Sequence, residues 1–266
     1  MGIRLAAVFA HPDDDSYGLG GTLAKEGEAI DYTLVVATSG EAGPISDPSL
    51  ATRDNLAAVR EEEERQALRT VGKPDARIEF LRYPDGGLKD VARNELVERI
   101  AQILRDVRPQ VVVTFGPEGI TKHDDHIAVG QAATEAFHRA RGEQDAAPRS
   151  DGSFQRLYYN AIPRSEMDQF WNALRARGID IGDPEGPFMP RGVPDQAISV
   201  RVDCRDVVKR KLQAIRAHRT QQVELEYLPE DLQPELLGAE AFVQAWPPPE
   251  TEERAVRGSL LGGLED

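Results

Sequence analysis

Ile3-Arg4-Leu5-Ala6-Ala7-Val8-Phe9-Ala10 runs straight into His11-Pro12-Asp13-Asp14-Asp15, and that junction decides how the chain is read. The first eight residues are apolar except for one arginine, the pattern of a strand buried on both faces of a parallel sheet. Pro12 has no backbone N–H and a fixed φ, so the chain leaves the strand there and turns. Gly18, Gly20 and Gly21 follow, and a helical stretch begins near Thr22. Outward from this unit the alternation recurs. Strands are expected at 32–38, 77–81 and 110–115, and helices at 53–71, 94–107 and 127–140. In 94–107 the apolar residues fall at 96, 97, 100, 103, 104 and 107, a single helical stripe. This order predicts an α/β fold, a Rossmann-like and mostly parallel sheet with helices on both faces.

Beyond a polar loop at 142–153 the pattern loosens. Strands are expected at 157–162 and 197–202, and helices at 165–177 and 205–218. The Gly/Pro-rich stretch 178–194 is long for a plain connection and reads as a lid, a pocket wall or an irregular surface loop. From 224 the tail reads as short helices around Pro247-Pro248-Pro249. Neither a repeat nor a linker divides the chain. Residues 1–266 are therefore expected to form one α/β domain, with 142–266 as its less regular C-terminal extension.

With 266 residues, 40% hydrophobic and 29% charged, the chain can bury a sizeable core and lacks the composition of a disordered protein. Its 32 Lys+Arg against 46 Asp+Glu leave a net charge of −14, with a pI near 4.9. That balance argues against nucleic acid or an anionic membrane as partner, because both are bound through Lys and Arg. Cys204 is the only cysteine, so an intramolecular disulfide and a cysteine-rich zinc site are both excluded. The apolar opening is too short for a secretory leader, and no apolar run approaches the ~20 residues of a membrane span. A cytoplasmic protein is expected, with homo-oligomerisation left open.

Two loops combine histidine with carboxylates at strand ends: His11 to Asp15 after the first strand, and His123-Asp124-Asp125-His126 after the fourth. Ligands of open α/β sheets bind outside the carboxyl ends of the strands, so both loops lie where chemistry is expected. Consecutive aspartates repel unless water or a cation relieves them. Two imidazoles and one carboxylate make a zinc set with its fourth position open to water, the catalytic rather than the structural pattern. Zinc lowers the pKa of its water to roughly 7, and a further carboxylate and imidazole would serve as base and electrophile. The bland alternative is a pair of hydrated, hydrogen-bonded acidic turns.

Taken together, several motifs resemble the LmbE-like (PIG-L) family of metal-dependent de-N-acetylases. They are Ala10-His11-Pro12-Asp13-Asp14-Asp15, Thr38-Ser39-Gly40-Glu41, Arg60-x-x-Glu63 with Ala67 and Val71-Gly72, Tyr83-Pro84-Asp85-Gly86-Gly87-Leu88, His123-x-x-His126, Lys211, and His218-Arg219-Thr220-Gln221. The resemblance implies a hydrolase that removes an acetyl group from an N-acetylglucosamine-type amide, with a small-molecule amino-sugar conjugate as substrate. It further implies that His11, Asp14 and His126 hold Zn2+; such ligands suit Fe2+ as well. Asp13 is similar to the general base and His123 to the charged group that stabilises the oxyanion, with Asp125 holding the His123 ring. Arg60 and Asp85 resemble positions that contact the sugar. Asp15 and Asp124 depart from the family's usual Glu and Pro, which touches the surroundings of the site and substrate preference rather than the proposed ligands or base.

Other features carry plainer readings. Gly18-Leu19-Gly20-Gly21 lacks G-x-G-x-x-G spacing, and carboxylates stand where a pyrophosphate would sit, so close helix–sheet packing is expected. Glu61 to Glu64 read as a solvated helix face with pairs such as Glu61–Arg65. His218 is either a packed imidazole or a substrate contact. His138 is expected on an exposed helix face, and Cys204 as a small buried side chain. Trp171, Trp246, Phe170 and Phe242 are expected to pack the interior. Two rival functions share the Asp/His clusters: a metal-dependent phosphoester hydrolase, whose sites hold two metals about 4 Å apart, and a non-catalytic sugar- or metal-binding protein.

Overall fold

The computed structural model describes residues 2–142, 151–180, 182–183, 186, 189–222, 228–249 and 255–264. Most of the loop expected at 142–153 and parts of 178–194 and of the tail lie outside these residues. The first half alternates β1 (Ile3–Phe9), α1 (Asp14–Gly18), α2 (Gly20–Glu26), β2 (Ile30–Thr38), α3 (Leu56–Thr70), β3 (Arg77–Tyr83), α4 (Arg93–Val107), β4 (Val111–Phe115), α5 (Gly119–Lys122) and α6 (Asp124–Arg141). Then follow β5 (Arg156–Pro163), α7 (Arg164–Ala176), β6 (Gly192–Val193), β7 (Val200–Asp203), α8 (Val208–Ala217), α9 (Gln233–Leu237) and β8 (Ala239–Trp246).

The strands lie in the order β3-β2-β1-β4-β5-β8-β7, with β6 paired to the end of β5. From β3 to β5 every pairing is parallel; β8 is antiparallel to both β5 and β7. The mostly parallel α/β fold expected from the alternation is thus present. Apolar runs explain its centre: six of the seven residues of β1 and all five of β4 are buried. Helices α4 and α6 pack together, as do α2, α3 and α8, in two separate groups against the sheet. The stripe on α4 faces inward through Leu96, Val97, Ile100, Ala101 and Leu104. Gly130 lets α6 approach β4 closely, since a β-carbon there would stand 2.7 Å from the Phe115 carbonyl oxygen. No helix of the described residues is long and apolar enough to cross a membrane.

Two assignments need correction. Among the described residues the tail holds one short helix and then the eight-residue strand β8, inserted between β5 and β7, where short helices were expected. Its second residue, Glu240, is a buried carboxylate, 2.7 Å from Lys211 Nζ and bonded to the N–H groups of Gly21 and Thr22. A charge at an inward position hides a strand from a hydrophobic pattern. The helix expected from 127 starts at Asp124, because His123 caps it: its Nδ1 accepts the Asp125 N–H at 3.1 Å.

The expected packing residues are all inside or half-buried. Phe242 and Trp246 join the main core. Trp171 anchors a smaller cluster with Met167, Leu174 and Leu232, against which Phe170 packs. Cys204 is buried, and burial pushes its thiol up to about 12, so it is an inert side chain.

Candidate active site

Strand order brings the two acidic loops together. β1 and β4 are hydrogen-bonded neighbours with Ala7 opposite Val113, so the chain segments after Phe9 and after Phe115 leave the sheet side by side. This is where the strand sequence reverses, from β3-β2-β1 outward on one side to β4-β5 on the other, the position at which open α/β sheets bind ligands. His11 Nδ1 consequently lies 3.2 Å from His126 Nε2, although 115 positions separate them in sequence.

Asp14 completes this group. Its Oδ2 accepts the N–H groups of His11 at 2.8 Å and Ala10 at 3.1 Å, which folds the carboxylate back over the strand end. Its Oδ1 is 3.4 Å from His126 Nε2, and its Oδ2 is 3.7 Å from His11 Nδ1. His126 donates from Nδ1 to the Gly119 carbonyl at 3.0 Å, which leaves Nε2 as a bare lone pair aimed at His11. Burial, aided by the nearby His11 ring, holds His126 below the usual imidazole range despite Asp14. Phe115 stacks on its ring at 4.1 Å with 6° between the planes. Two imidazole nitrogens and a carboxylate oxygen converging in this way are a donor set that fits a divalent cation.

His11 uses its other nitrogen for support. Nε2 is 3.1 Å from Asp85 Oδ1 and 3.5 Å from Asp125 Oδ2. A metal-binding imidazole commonly donates its remote N–H to a carboxylate, which fixes its tautomer and orientation. Burial favours the neutral ring, but Asp125, Asp85 and Asp14 outweigh it and raise His11 to about 10. In return His11, the Ala42 N–H and Arg60 hold Asp85 down at about 2 against its own burial. The carboxylate of Asp125 also accepts from Gly86 N at 2.7 Å and Leu88 N at 3.0 Å.

Two of the expected site residues meet His11. Asp125 was expected to hold the His123 ring; its carboxylate lies 3.5 Å from His11 Nε2, and its backbone N–H donates to His123 Nδ1. Asp85, expected on the sugar, also braces His11 and accepts the Ala42 N–H. His123 stands at the cluster, with its ring centroid 4.9 Å from His11 and 5.0 Å from His126. Nitrogens of all three rings lie within 4.8 Å of one another, as do ligand atoms of His11, Asp85 and Asp125. Both groupings share His11, whose Nδ1 faces His126 and whose Nε2 faces Asp85 and Asp125. Because the His123 Nδ1 accepts a backbone N–H, its ring proton resides on Nε2.

Helix α3 supplies what the sequence reading missed. Arg60, Glu61, Glu63 and Glu64 are 3%, 7%, 8% and 0% exposed, so the expected solvated charge run is an inner face. Arg60 donates to Gly40 O at 2.9 Å and Pro12 O at 2.6 Å and pairs with Asp13 Oδ2 at 2.9 Å, so it grips the base candidate. Gly40, at φ +67°, must be glycine because a β-carbon would overlap the guanidinium. Glu61 takes Ser39 and Arg82, and Glu63 takes the N–H and hydroxyl of Thr220. Glu64 accepts the Asp13 N–H at 3.0 Å. The signal was available: Leu56, Ala67, Leu68 and Val71 define an apolar stripe, and 60, 63 and 64 fall on it at helical spacing.

His218 does not join the cluster. It is 1% exposed, with Nε2 3.2 Å from Ser16 Oγ. Burial, helped by the Arg60 charge, pushes it down to about 3, so it is neutral. The packed-imidazole reading is the one this geometry matches. Asp15, buried, accepts the Tyr32 hydroxyl and faces Glu64; burial raises both carboxyls, and two anions cannot share that space.

Residues 6–137 match the PIG-L family, described as GlcNAc-PI de-N-acetylase. A sequence relative, the 1D-myo-inositol 2-acetamido-2-deoxy-alpha-D-glucopyranoside deacetylase of Kineococcus radiotolerans, is 34% identical over 249 residues, covering 82% of this chain and 68% of its own. Among solved structures, the N,N'-diacetylchitobiose deacetylase of Pyrococcus horikoshii superposes with a TM-score of 0.59 at 22% identity, over 91% of this chain and 83% of that one. The 4-carboxy-2-hydroxymuconate hydratase of Pseudomonas putida reaches a TM-score of 0.64 at 22% identity, over 95% and 100%. A deacetylase and a hydratase on one scaffold testify to the fold alone, whereas the sequence relative carries the lineage. On that sequence match, the chain belongs to the PIG-L (GlcNAc-PI de-N-acetylase) family.

Proposed function

We infer that this chain is an N-deacetylase, a hydrolase of the amide in an acetylated amino-sugar conjugate. Family membership supplies the reaction class. The observation that carries the site is the convergence of His11 Nδ1, Asp14 Oδ1 and His126 Nε2 beside the clamped carboxylate of Asp13. The three converging atoms would hold Zn2+, or Fe2+ given the same donors. Such an ion, when bound, supplies Lewis-acid polarisation of the amide carbonyl and acidifies a water.

The chain's own residues do the rest. Asp13, held by Arg60, takes the proton of the attacking water and passes it to the leaving amine. His123 donates from Nε2 to the oxygen that becomes the oxyanion. Asp85 and Asp125 hold the His11 ring in register. A single centre with one base and one donor suits amide hydrolysis better than the two-ion arrangement of phosphoester hydrolases. An aglycone resembling inositol is the first substrate to try, since the sequence relative is named for one. A lone buried cysteine fits the cytoplasmic location we propose.

Acetate release from a panel of N-acetylglucosamine conjugates, with and without a chelator, tests the function. Chelator-sensitive acetate release is expected. Asp13→Asn should keep its metal and lose roughly 10²–10⁴-fold in kcat. Absence of acetate from every conjugate, or activity indifferent to the chelator, would overturn the reading.

A further inference from the structure

Asp13 stands in a backbone conformation that a side-chain-bearing residue rarely adopts, with φ +104° and ψ −29°. Strain of this kind persists only where surrounding groups over-determine it. Two groups on α3, four residues apart and therefore on one face of the helix, do so here. Arg60 Nη2 holds the carboxylate at 2.9 Å, and Glu64 Oε2 holds the N–H at 3.0 Å. Glu64 is fully buried, and its carboxyl faces that of the buried Asp15. Asp15 is in turn tied to β2 through the Tyr32 hydroxyl at 3.2 Å. A line of contacts thus runs from the sheet through Asp15 and Glu64 to the peptide N–H of Asp13.

We propose that Glu64 is a positioning residue for Asp13: by accepting its N–H, Glu64 fixes the left-handed turn that aims the Asp13 carboxylate at the attacking water. The inference rests on the reading of Asp13 as base. Without the Glu64 acceptor, Asp13 relaxes toward an ordinary φ, and its carboxylate swings about the remaining Arg60 contact. Misplacement of a reacting group by about 1 Å costs on the order of 10²-fold. The metal-facing atoms of His11, Asp14 and His126 make no contact with Glu64, so metal content is expected to survive.

The test is a kinetic comparison of Glu64→Leu, Glu64→Asp and Glu64→Gln in the metal-loaded full chain. Leucine removes the acceptor, and aspartate withdraws it by one methylene while keeping the charge. Each should lower kcat by about 10- to 100-fold with KM and metal content nearly unchanged. Glutamine accepts through one amide atom and can donate to Asp15 through the other, so it should restore kcat to within several-fold. In a cycle with Asp13→Asn, the Glu64→Leu penalty should vanish, because a misaimed base costs nothing once the base is gone. Should Glu64→Leu fail to fold, the aspartate and glutamine variants still decide the matter. Penalties that add in the cycle, an aspartate variant with full kcat, or a folded glutamine variant as slow as the others would each overturn the proposal. Failure of the unsubstituted protein to release acetate would instead count against the deacetylase reading.

Discussion

Stripped of metal, the protein should carry a proton on His11 far above neutral pH. Three carboxylates face that ring, with Asp85 at 3.1 Å, Asp125 at 3.5 Å and Asp14 at 3.7 Å, and they raise it from 6.5 to about 10 in spite of burial. At 1.36 kcal/mol per pH unit, that displacement corresponds to about 5 kcal/mol. The sign follows from which state binds the proton more tightly. A base raised in the fold stabilises the metal-free protein fully below pH 6.5, and this contribution is lost as pH climbs through 10. Metal binding runs the other way, since the ion needs the bare nitrogen and must displace the proton. Affinity should therefore rise about tenfold per pH unit between 7 and 9, the proton costing roughly three orders of magnitude at pH 7. Imidazole nitrogen NMR of chelator-treated protein is the direct assay, with five histidines to assign and His11→Gln to identify one of them. His11 should remain an imidazolium at pH 8.5 and turn neutral when metal is added. A His11 signal that titrates near 6.5, or metal affinity flat from pH 7 to 9, would refute the carboxylate cage.

The buried groups around α3 yield two further expectations. Arg60→Lys keeps the charge but offers one nitrogen where Pro12, Gly40 and Asp13 need a fork; it should lose about 3 kcal/mol of stability in urea unfolding and most of kcat, and an unchanged unfolding midpoint would contradict the clamp. His218 is a base depressed to about 3, so the stability it allows is complete above pH 6.5 and drains away as pH falls through 3. His218→Gln should flatten the dependence of unfolding free energy on pH between 6 and 4, and an unaltered slope would mean that the imidazole is not neutral in the fold.

The short-range reading was most dependable where the chain obeys a local period. β1, β4 and the stripe of α4 follow from runs and spacings of apolar residues, and these elements stand within a residue or two of expectation. It failed at Glu240 and along 60–64, where charged groups occupy inward positions. Each such charge has partners 20 or more positions away, for example Arg60 with Gly40 at 20, Glu64 with Asp13 at 51, and Glu240 with Lys211 at 29 and Gly21 at 219. No window along the chain contains those pairings. Burial of a charge is decided by what another element brings to meet it.

What the amino-acid order determined alone is the alternation of strand and helix and the kinds of side chain at each strand end: imidazole and carboxylate after β1 and after β4. Those follow from composition within a few residues, which is as far as periodicity reaches. Partner choice belonged to the tertiary structure. Setting β4 directly beside β1 puts His11 against His126, and the loop after β3 then delivers Asp85 to the same ring, where Asp125 joins it. Hydrogen bonds and ion pairs act over about 3 Å, whereas chain neighbours and spatial neighbours coincide only within a single element.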